Sequence, residues 1–254
     1  MEIVRTEIDG AIGTIVLNRP EKRNALSAEM VVAINAALTE MRDAAQVRVV
    51  VLKGSGPAFC AGADLAYLQE IAQNSPMENL ADSTALMHMY QNIGTLPKPV
   101  IAMVHGPAIA GGAGLATVCD LVIAGREKAV FGYSEVKIGF IPAIVMVYLL
   151  RKIGDTQARK LVLTAENITS EEALRIGMVS TVVDDAALEQ TVREIAERMS
   201  RNSASSMALS KNMLNALPGM SVDAGLHYAA AMNAFTRQTE DCKNGIATFL
   251  DTKN

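Results

Sequence analysis

The chain has 254 residues, half of them hydrophobic, which is enough for a substantial core in one enzyme-sized unit. Its formal net charge is −4, and its lysines and arginines are scattered, which argues against nucleic acid as a partner. No apolar run approaches the roughly 18 residues of a membrane span, and the N-terminus lacks a secretory signal, so we expect a cytoplasmic protein without membrane contact. Its three cysteines are widely spaced and predict reduced thiols.

Two short alternating segments open the chain. Residues 3–7 and 11–17 place apolar and polar side chains in turn, and the Asp-Gly pair at 9–10 predicts a hairpin between them. Ser27 is the expected N-cap of a helix that runs to about residue 44. The spacing predicts one buried face on this helix, formed by Ala28, Val31, Val32, Ile34, Asn35 and Leu38.

The middle of the chain combines buried strands with two runs of very small residues. A strand predicted at 47–52 leads into the first run, residues 59–65. A second strand, predicted at 100–104, leads into the second run, residues 109–114. Between them, the polar stretch 69–79 predicts a mobile loop over a ligand, followed by a helix.

The two small-residue runs carry the chemical signal. Each follows an apolar strand and precedes a predicted helix, where backbone N–H groups lack an intrahelical partner and can bind an anion. Two such places in one domain can hold one oxyanion, as enolate chemistry on a thioester requires. Taken singly, each run could instead be a turn that lets two backbones pack closely. A dinucleotide fingerprint fits less well, because Thr117 stands where its third glycine is expected.

The second half of the chain becomes helical. Residues 121–124 and 129–131 predict two more strands, and helices dominate after about residue 141. Thr169 and Glu172 form a predicted capping pair at the start of one helix, and a charged helix is predicted to end at about residue 201. Two more helices are predicted at 203–217 and 222–238. Strands first and helices last predict an α/β core followed by a helical appendage.

With their flanking residues, the two small-residue runs resemble signature segments of the enoyl-CoA hydratase/isomerase (crotonase) superfamily. The matching segments are 54–65 and 104–112, and the resemblance extends from Ile3 to Phe249. It implies an α/β crotonase (ClpP/crotonase-like) fold, a superhelix of ββα repeats with a C-terminal helical appendage. The implied division is a core at 1–195 and a helical trimerisation region at 196–254, in a homotrimer or homohexamer.

The same resemblance implies the catalytic groups. The N–H groups of Ala63 and Gly111 correspond to the oxyanion donors, and Glu135 corresponds to a catalytic glutamate within the matching block 130–143. The family's hydratases commonly carry another glutamate, whose position falls on Gly114 here. A glycine there is expected to leave space for a bulkier acyl group or a lone water.

Other acidic residues have structural interpretations. Asp64 follows the first donor and is expected to cap the next helix. Asp120 matches a family position, but a buried aspartate bonded to backbone explains it equally well. Cys60 lies in the first run and has no histidine near it in sequence, so we expect a small packing residue rather than a nucleophile.

Substrate contacts follow from the matched segments. Basic residues at 19, 22 and 23 are candidates to face coenzyme A phosphates. The residues implied to bind the acyl-CoA are Arg23, Ala25, Ala61, Ala63, Asp64, Leu65, Ala66, Gly111, Gly114, Pro142, Phe249 and Lys253. Candidates for the acyl pocket are Leu65, Leu68, Ile71, Ile138, Phe140, Ile141 and Val145. Coenzyme A is part of the substrate, so no cofactor is expected, and the isolated histidines 88, 105 and 227 argue against a metal site.

Hydration of a 2-enoyl-CoA is the function that we expect. The segments 134–137 and 141–143, with Gly114, are similar to bacterial methylglutaconyl-CoA hydratase-like members, which points to a branched substrate. A Δ3,Δ2-enoyl-CoA isomerase is the alternative, because moving one proton needs only one base. A non-catalytic acyl-CoA-binding protein is a third interpretation.

Overall fold

The computed structural model describes residues 2–251, and two sheets organise it. The strands are β1 (Val4–Asp9), β2 (Ile12–Leu17), β3 (Val49–Gly54), β4 (Val100–Val104), β5 (Ala108–Ile109), β6 (Leu121–Gly125), β7 (Val130–Gly132), β8 (Asn167–Thr169) and β9 (Thr181–Val183). The α-helices are α1 (Ala28–Asp43), α2 (Leu65–Ile71), α3 (Pro76–Thr95), α4 (Gly111–Thr117), α5 (Ala143–Thr164), α6 (Ser170–Arg175), α7 (Leu188–Ser200), α8 (Ala204–Ala216), α9 (Val222–Thr236) and α10 (Glu240–Asp251).

The larger sheet has six strands in the order β1-β2-β3-β4-β6-β9, and the smaller has three in the order β5-β7-β8. The predicted hairpin is confirmed: β1 and β2 pair antiparallel, and Gly10 between them has φ +57°. All other pairs of the larger sheet are parallel. Such pairs need crossover connections, which the helices supply.

Successive turns of the chain repeat one pattern. β4 joins the larger sheet, β5 joins the smaller one and α4 follows; β6, β7 and α5 repeat this order. An earlier turn has β3 in the larger sheet, an isolated bridge from Cys60 to Ala108 beside the smaller one, and then α2. The chain therefore winds as a superhelix of ββα units, as the resemblance implied.

The larger sheet is buried on both faces. One face packs in the main core, together with buried residues of α1 and α3. Strand residues of the other face form a second core with Leu188, Val192 and Ala196 of α7. The division predicted at residue 195 falls inside this helix.

Helix α1 confirms the predicted cap but shifts the predicted face. The Ser27 side chain accepts a hydrogen bond from Met30 N, as expected of an N-cap. Val32 and Ala28 are wrong as core residues, because both are exposed. The buried face is formed by Met30, Val31, Ile34, Ala37, Leu38 and Met41.

The loop predicted at 69–79 is wrong, since α2 and α3 cover most of that stretch. Ser75 and Glu78 form a reciprocal capping box, and Pro76 occupies the first turn of α3. The polar residues that suggested a loop are therefore the start signal of a helix. Strands β8 and β9 and helix α10 lie where no element was predicted.

The three C-terminal helices are mostly exposed. The buried residues of α8, α9 and α10 within the described chain are Lys211 and Gly225. The Lys211 ammonium donates to Asp120 at 2.7 Å, and the same carboxylate accepts Val100 N. Asp120 is thus a backbone-bonded aspartate that also ties α8 to the core. None of the helices between residues 2 and 251 is long and apolar enough to cross a membrane.

Candidate active site

Three adjacent strand positions place the predicted catalytic groups along one edge of the smaller sheet. Cys60 bridges Ala108, and Ala108 pairs in turn with Phe131. These three residues are therefore neighbours across parallel strands. Because the strands run in the same direction, the residues that follow them emerge at the same edge of the sheet. The groups that follow within three or four residues are Ala63, Gly111 and Glu135.

The first predicted donor is the N–H of Ala63. Leu26 N donates to Gly62 O at 2.7 Å, and Asp64 N donates to Leu26 O at 2.9 Å. This bridge uses the groups on either side of Ala63, so the N–H of Ala63 points away from Leu26. Ala63 is exposed, and its N–H donates no hydrogen bond within residues 2–251.

Asn24 holds the segment that leads into the first donor. It is fully buried, has φ +56°, and follows another residue of positive φ, Arg23. Its side-chain amide donates to three carbonyl oxygens, those of Ser55, Ala58 and Phe59. The sequence interpretation missed Asn24, although a carboxamide residue tolerates positive φ better than most side chains.

Asp64 caps α2, as predicted. Its Oδ1 accepts Ala66 N at 2.9 Å, and its Oδ2 accepts the Arg19 guanidinium at 2.7 Å. Burial acts to raise the pKa of Asp64, but the bonds from Ala66 and Arg19 outweigh it, so the pKa is lowered. Arg19 is therefore engaged by Asp64, which leaves Lys22 and Arg23 as the exposed basic residues of this turn.

The second predicted donor is the N–H of Gly111, at the start of α4. Ala110 before it has φ 53° and ψ −124°, a conformation that costs a non-glycine residue on the order of 1–3 kcal/mol. Its N–H donates to Gly132 O at 2.7 Å, and its carbonyl accepts Gly114 N at 3.1 Å. Because that carbonyl points into the helix, the N–H of the same trans peptide points out of its N-terminus.

Glycines let the two donor segments touch. Gly62 has φ +87°, and a Cβ there would lie 2.8 Å from Ile109 O and 3.4 Å from Gly111 N. A Cβ on Gly112 would lie only 2.0 Å from Cys60 O. These separations exclude side chains at both positions. The two N–H groups are thus held on neighbouring segments.

Glu135 begins a 3-10 turn directly after β7. Its side chain is buried, and its Oε2 has no hydrogen-bond partner within the described part of the chain. Burial raises the pKa of Glu135, and a bond to its own backbone N–H opposes this only in part. A carboxyl group with a raised pKa can take and give protons near neutrality.

The position of the family's other glutamate is closed. Gly114 is buried in α4, and a Cβ there would lie 2.0 Å from Val145 Cγ1 and 2.5 Å from Val145 Cβ. The expectation that glycine leaves space at this point is wrong, because the Val145 side chain of α5 fills it. Val145 also differs from several other acyl-pocket candidates in being buried, whereas Leu65, Ile138, Phe140 and Ile141 are exposed.

The remaining predicted substrate residues lie in several segments. Ala25 is buried and Ala61 half-buried beside the first donor segment, while Ala66 is exposed on α2 and Pro142 is buried before α5. Phe249 is 60% exposed on α10, and Lys253 lies outside the described residues. Their contacts with acyl-CoA stay predictions.

Two alternative chemistries find little support. Cys60 is fully buried, and burial raises the pKa of its thiol to about 12, which suits a packing role rather than a nucleophile. No cluster of three or more potential metal-ligating side chains occurs in residues 2–251. The chemistry that this edge can perform is proton transfer by one carboxyl group beside two amide donors.

A tyrosine that sequence reasoning did not select contacts the turn that carries the second predicted donor. Tyr90 of α3 is fully buried, and its hydroxyl donates to Gly111 O at 2.8 Å. It precedes Gly111 by 21 residues and carries no motif, so only the folded chain reveals the contact.

Comparison with known proteins gives consistent results. The family model described as enoyl-CoA hydratase/isomerase matches residues 7–254. A Thermus thermophilus protein, provisionally named an enoyl-CoA hydratase, is 42% identical over 244 residues, or 96% of each chain. A crotonyl-CoA hydratase of Syntrophomonas wolfei is 33% identical, with 99% of this chain and 96% of its own aligned. The crystal structure of an enoyl-CoA hydratase from Shewanella pealeana has a TM-score of 0.94 at 30% identity, covering 99% and 94% of the two chains.

Proposed function

Because the chain belongs to the enoyl-CoA hydratase/isomerase family, an enzyme family, we propose that it hydrates a 2-enoyl-CoA to a 3-hydroxyacyl-CoA. The observation that carries this proposal is the buried carboxyl group of Glu135 on the same sheet edge as the amide groups of Ala63 and Gly111. Glu135 is the single side chain that we assign to proton transfer in this reaction.

The proposed steps balance with water as the only co-substrate. The thioester oxygen accepts hydrogen bonds from Ala63 N and Gly111 N. Glu135 takes a proton from water as the oxygen adds to C3, and the electron pair of the double bond moves onto the thioester as an enolate. Glu135 then returns the proton to C2. Both donors bind most strongly when the charge on the oxygen is largest, which is the requirement for catalysis.

A branched acyl group is the finer part of the proposal. It is supported by the similarity of segments 134–137 and 141–143 to methylglutaconyl-CoA hydratase-like members. Since Val145 fills the space next to Gly114, a branch must lie elsewhere along the acyl group. The exposed apolar side chains of Leu65, Ile138 and Phe140 are candidates to cover it.

Product analysis tests the reaction. The protein is incubated with straight and branched 2-enoyl-CoA and 3-enoyl-CoA thioesters, and the products are separated by chromatography and mass. We expect 3-hydroxyacyl-CoA, a gain of one water, from 2-enoyl-CoA. A shifted double bond without a gain in mass would contradict hydration.

A Δ3,Δ2-enoyl-CoA isomerase is the second candidate. Its supporting observation is the packing of Val145 against Gly114, which leaves Glu135 as the proposed proton-transfer group without a second carboxylate at position 114. Isomerisation needs that group alone to move a proton between C2 and C4. The same product analysis separates the two functions.

We also propose a homotrimer or homohexamer. The C-terminal helices expose large apolar side chains, among them Leu214, Val222, Leu226 and Phe235. Large apolar side chains left exposed in such number are typical of a surface that another subunit covers. Light scattering at micromolar concentration should give three or six times the 27.0 kDa chain mass, and a monomer would contradict the proposal.

A further inference from the structure

We propose that Tyr90 is a positioning residue that orients the N–H of Gly111 toward the substrate oxygen. The inference rests on the proposed role of Gly111 as an oxyanion donor. Tyr90 does not touch the reacting atoms in this account. It acts through the peptide that follows the donor.

The contact is direct and short. The Tyr90 hydroxyl donates to Gly111 O at 2.8 Å, and a Cβ on Gly111 would lie 3.2 Å from the same hydroxyl oxygen. Tyr90 is fully buried, and burial raises its pKa well above the usual value, so the hydroxyl keeps its proton and stays a donor.

The donor turn needs restraint because it is strained. Ala110 has a positive φ that favours glycine, and its peptide groups are held by Gly132 O on one side and Gly114 N on the other. Tyr90 adds a hydrogen bond at the next carbonyl along the chain, Gly111 O. The peptide that carries the donor N–H is therefore fixed at its own carbonyl, at the N–H of the peptide before it and at the carbonyl of the peptide after it.

Two other tyrosines, the buried Tyr133 and the half-buried Tyr148, do not bond to the donor turn. The Tyr133 hydroxyl lies 3.0 Å from Thr117 Oγ1, at the opposite end of α4 from the donor. Tyr148 packs its ring near that of Tyr90, with centroids 6.4 Å apart, and no hydrogen bond of its hydroxyl is found among residues 2–251. Tyr148→Phe is thus a matched control that removes a nearby hydroxyl without touching the donor turn.

The test compares Tyr90→Phe with Tyr148→Phe. The readouts are kcat, KM and the absorption of a bound cinnamoyl-CoA thioester with a para-dimethylamino group, whose spectrum shifts to the red when its carbonyl is polarised. Tyr90→Phe should lower kcat about tenfold, leave KM within about twofold and reduce the red shift. Tyr148→Phe should match the wild type in all three.

A second variant isolates the hydroxyl from the ring. Incorporation of 3-fluorotyrosine at position 90 keeps a hydroxyl donor, so it should retain the wild-type red shift and kcat. Loss of the shift with this residue would assign the effect to ring packing and overturn the proposal. A wild-type kcat and red shift in folded Tyr90→Phe would also overturn it.

Gly111→Pro separates this inference from the proposed function, since proline removes the donor itself. If Gly111→Pro loses the red shift while Tyr90→Phe retains it, only the role of Tyr90 is wrong. If a folded Gly111→Pro variant retains both the shift and kcat, the donor assignment is wrong as well.

Discussion

Positions 114 and 135 are the two places where the family resemblance predicts carboxylates, and in this chain they differ completely. Glu135 places a buried carboxyl group, with one oxygen unpartnered in the described chain, at the edge of the smaller sheet. Gly114 has no side chain, and Val145 of α5 packs into the volume that a Cβ would take. One position holds a carboxyl group, and the other is closed by the side chain of Val145.

In the proposed function, this difference leaves Glu135 as the single side chain that transfers protons. A second carboxylate beside Glu135 would raise the pKa of one partner and couple the two titrations. With valine there instead, burial is the main cause of the raised pKa of Glu135. The enzyme should therefore behave as a one-base catalyst, and the variants below test each side of the comparison.

The largest effect is expected at position 135. Glu135→Gln removes the base while keeping the shape of the side chain, and kcat should fall by roughly 10²-fold or more. Affinity for a saturated acyl-CoA, measured by calorimetry, should change only a few-fold. Turnover at the wild-type rate would remove Glu135 from the mechanism, and joint loss of binding and folding would make it structural.

Gly114→Glu tests the closed side. The new side chain must displace Val145 and would bring a like charge toward Glu135, so kcat/KM for the preferred substrate should fall about tenfold. Straight-chain crotonyl-CoA serves as a comparison substrate. An unchanged kcat/KM would place residue 114 outside the acyl pocket and would count against the alignment of Gly111.

A smaller change at the same place tests the packing alone. Gly114→Ala adds the Cβ that would lie 2.0 Å from Val145 Cγ1, and overpacking of this kind costs about 1–3 kcal/mol of stability. The Gly114→Ala/Val145→Gly double variant should lose less stability than the two single variants together, because Val145→Gly removes both contacting atoms. Additive changes in the free energy of unfolding would contradict contact between the two residues.

The smallest effect is on stability against pH. The folded state holds the Glu135 proton to a higher pH than the unfolded chain, so the wild type loses stability as pH rises from the unfolded pKa through the folded pKa. Glu135→Gln lacks this loss. Its Tm relative to the wild type should therefore increase from pH 4 to pH 8; a constant difference would mean that the pKa of Glu135 is not raised.

Local signals in the sequence predicted much of the fold. The strand at 100–104 was predicted with its observed bounds, because an apolar run follows two prolines. The Asp-Gly turn and the Ser27 cap were also correct. The prediction of a loop at 69–79 was wrong because the same polar residue types occur in loops and in helix caps, and only the tertiary fold decides between them.

The candidate site likewise contains residues that local sequence predicts and contacts that only the folded chain shows. The two donor segments could be predicted because each is a run of very small residues after an apolar strand, and Glu135 could be predicted from the resemblance of residues 130–143 to a family block. The contacts of Val145 with Gly114 and of Tyr90 with Gly111 could not be predicted, since they join α5 and α3 to α4 across distances in sequence that carry no periodic signal. Contacts of that kind arise only when the superhelix brings separate turns together.

The pH dependence of kcat/KM tests the one-base account most directly, because it reports the ionisations of the free enzyme. A pantetheine thioester of the preferred enoyl group avoids the titrating phosphates of coenzyme A. The account predicts that kcat/KM rises through a single ionisation above the usual range of a glutamate and then stays level, and that this ionisation disappears in Glu135→Gln. A bell-shaped profile, or the same ionisation in Glu135→Gln, would contradict it.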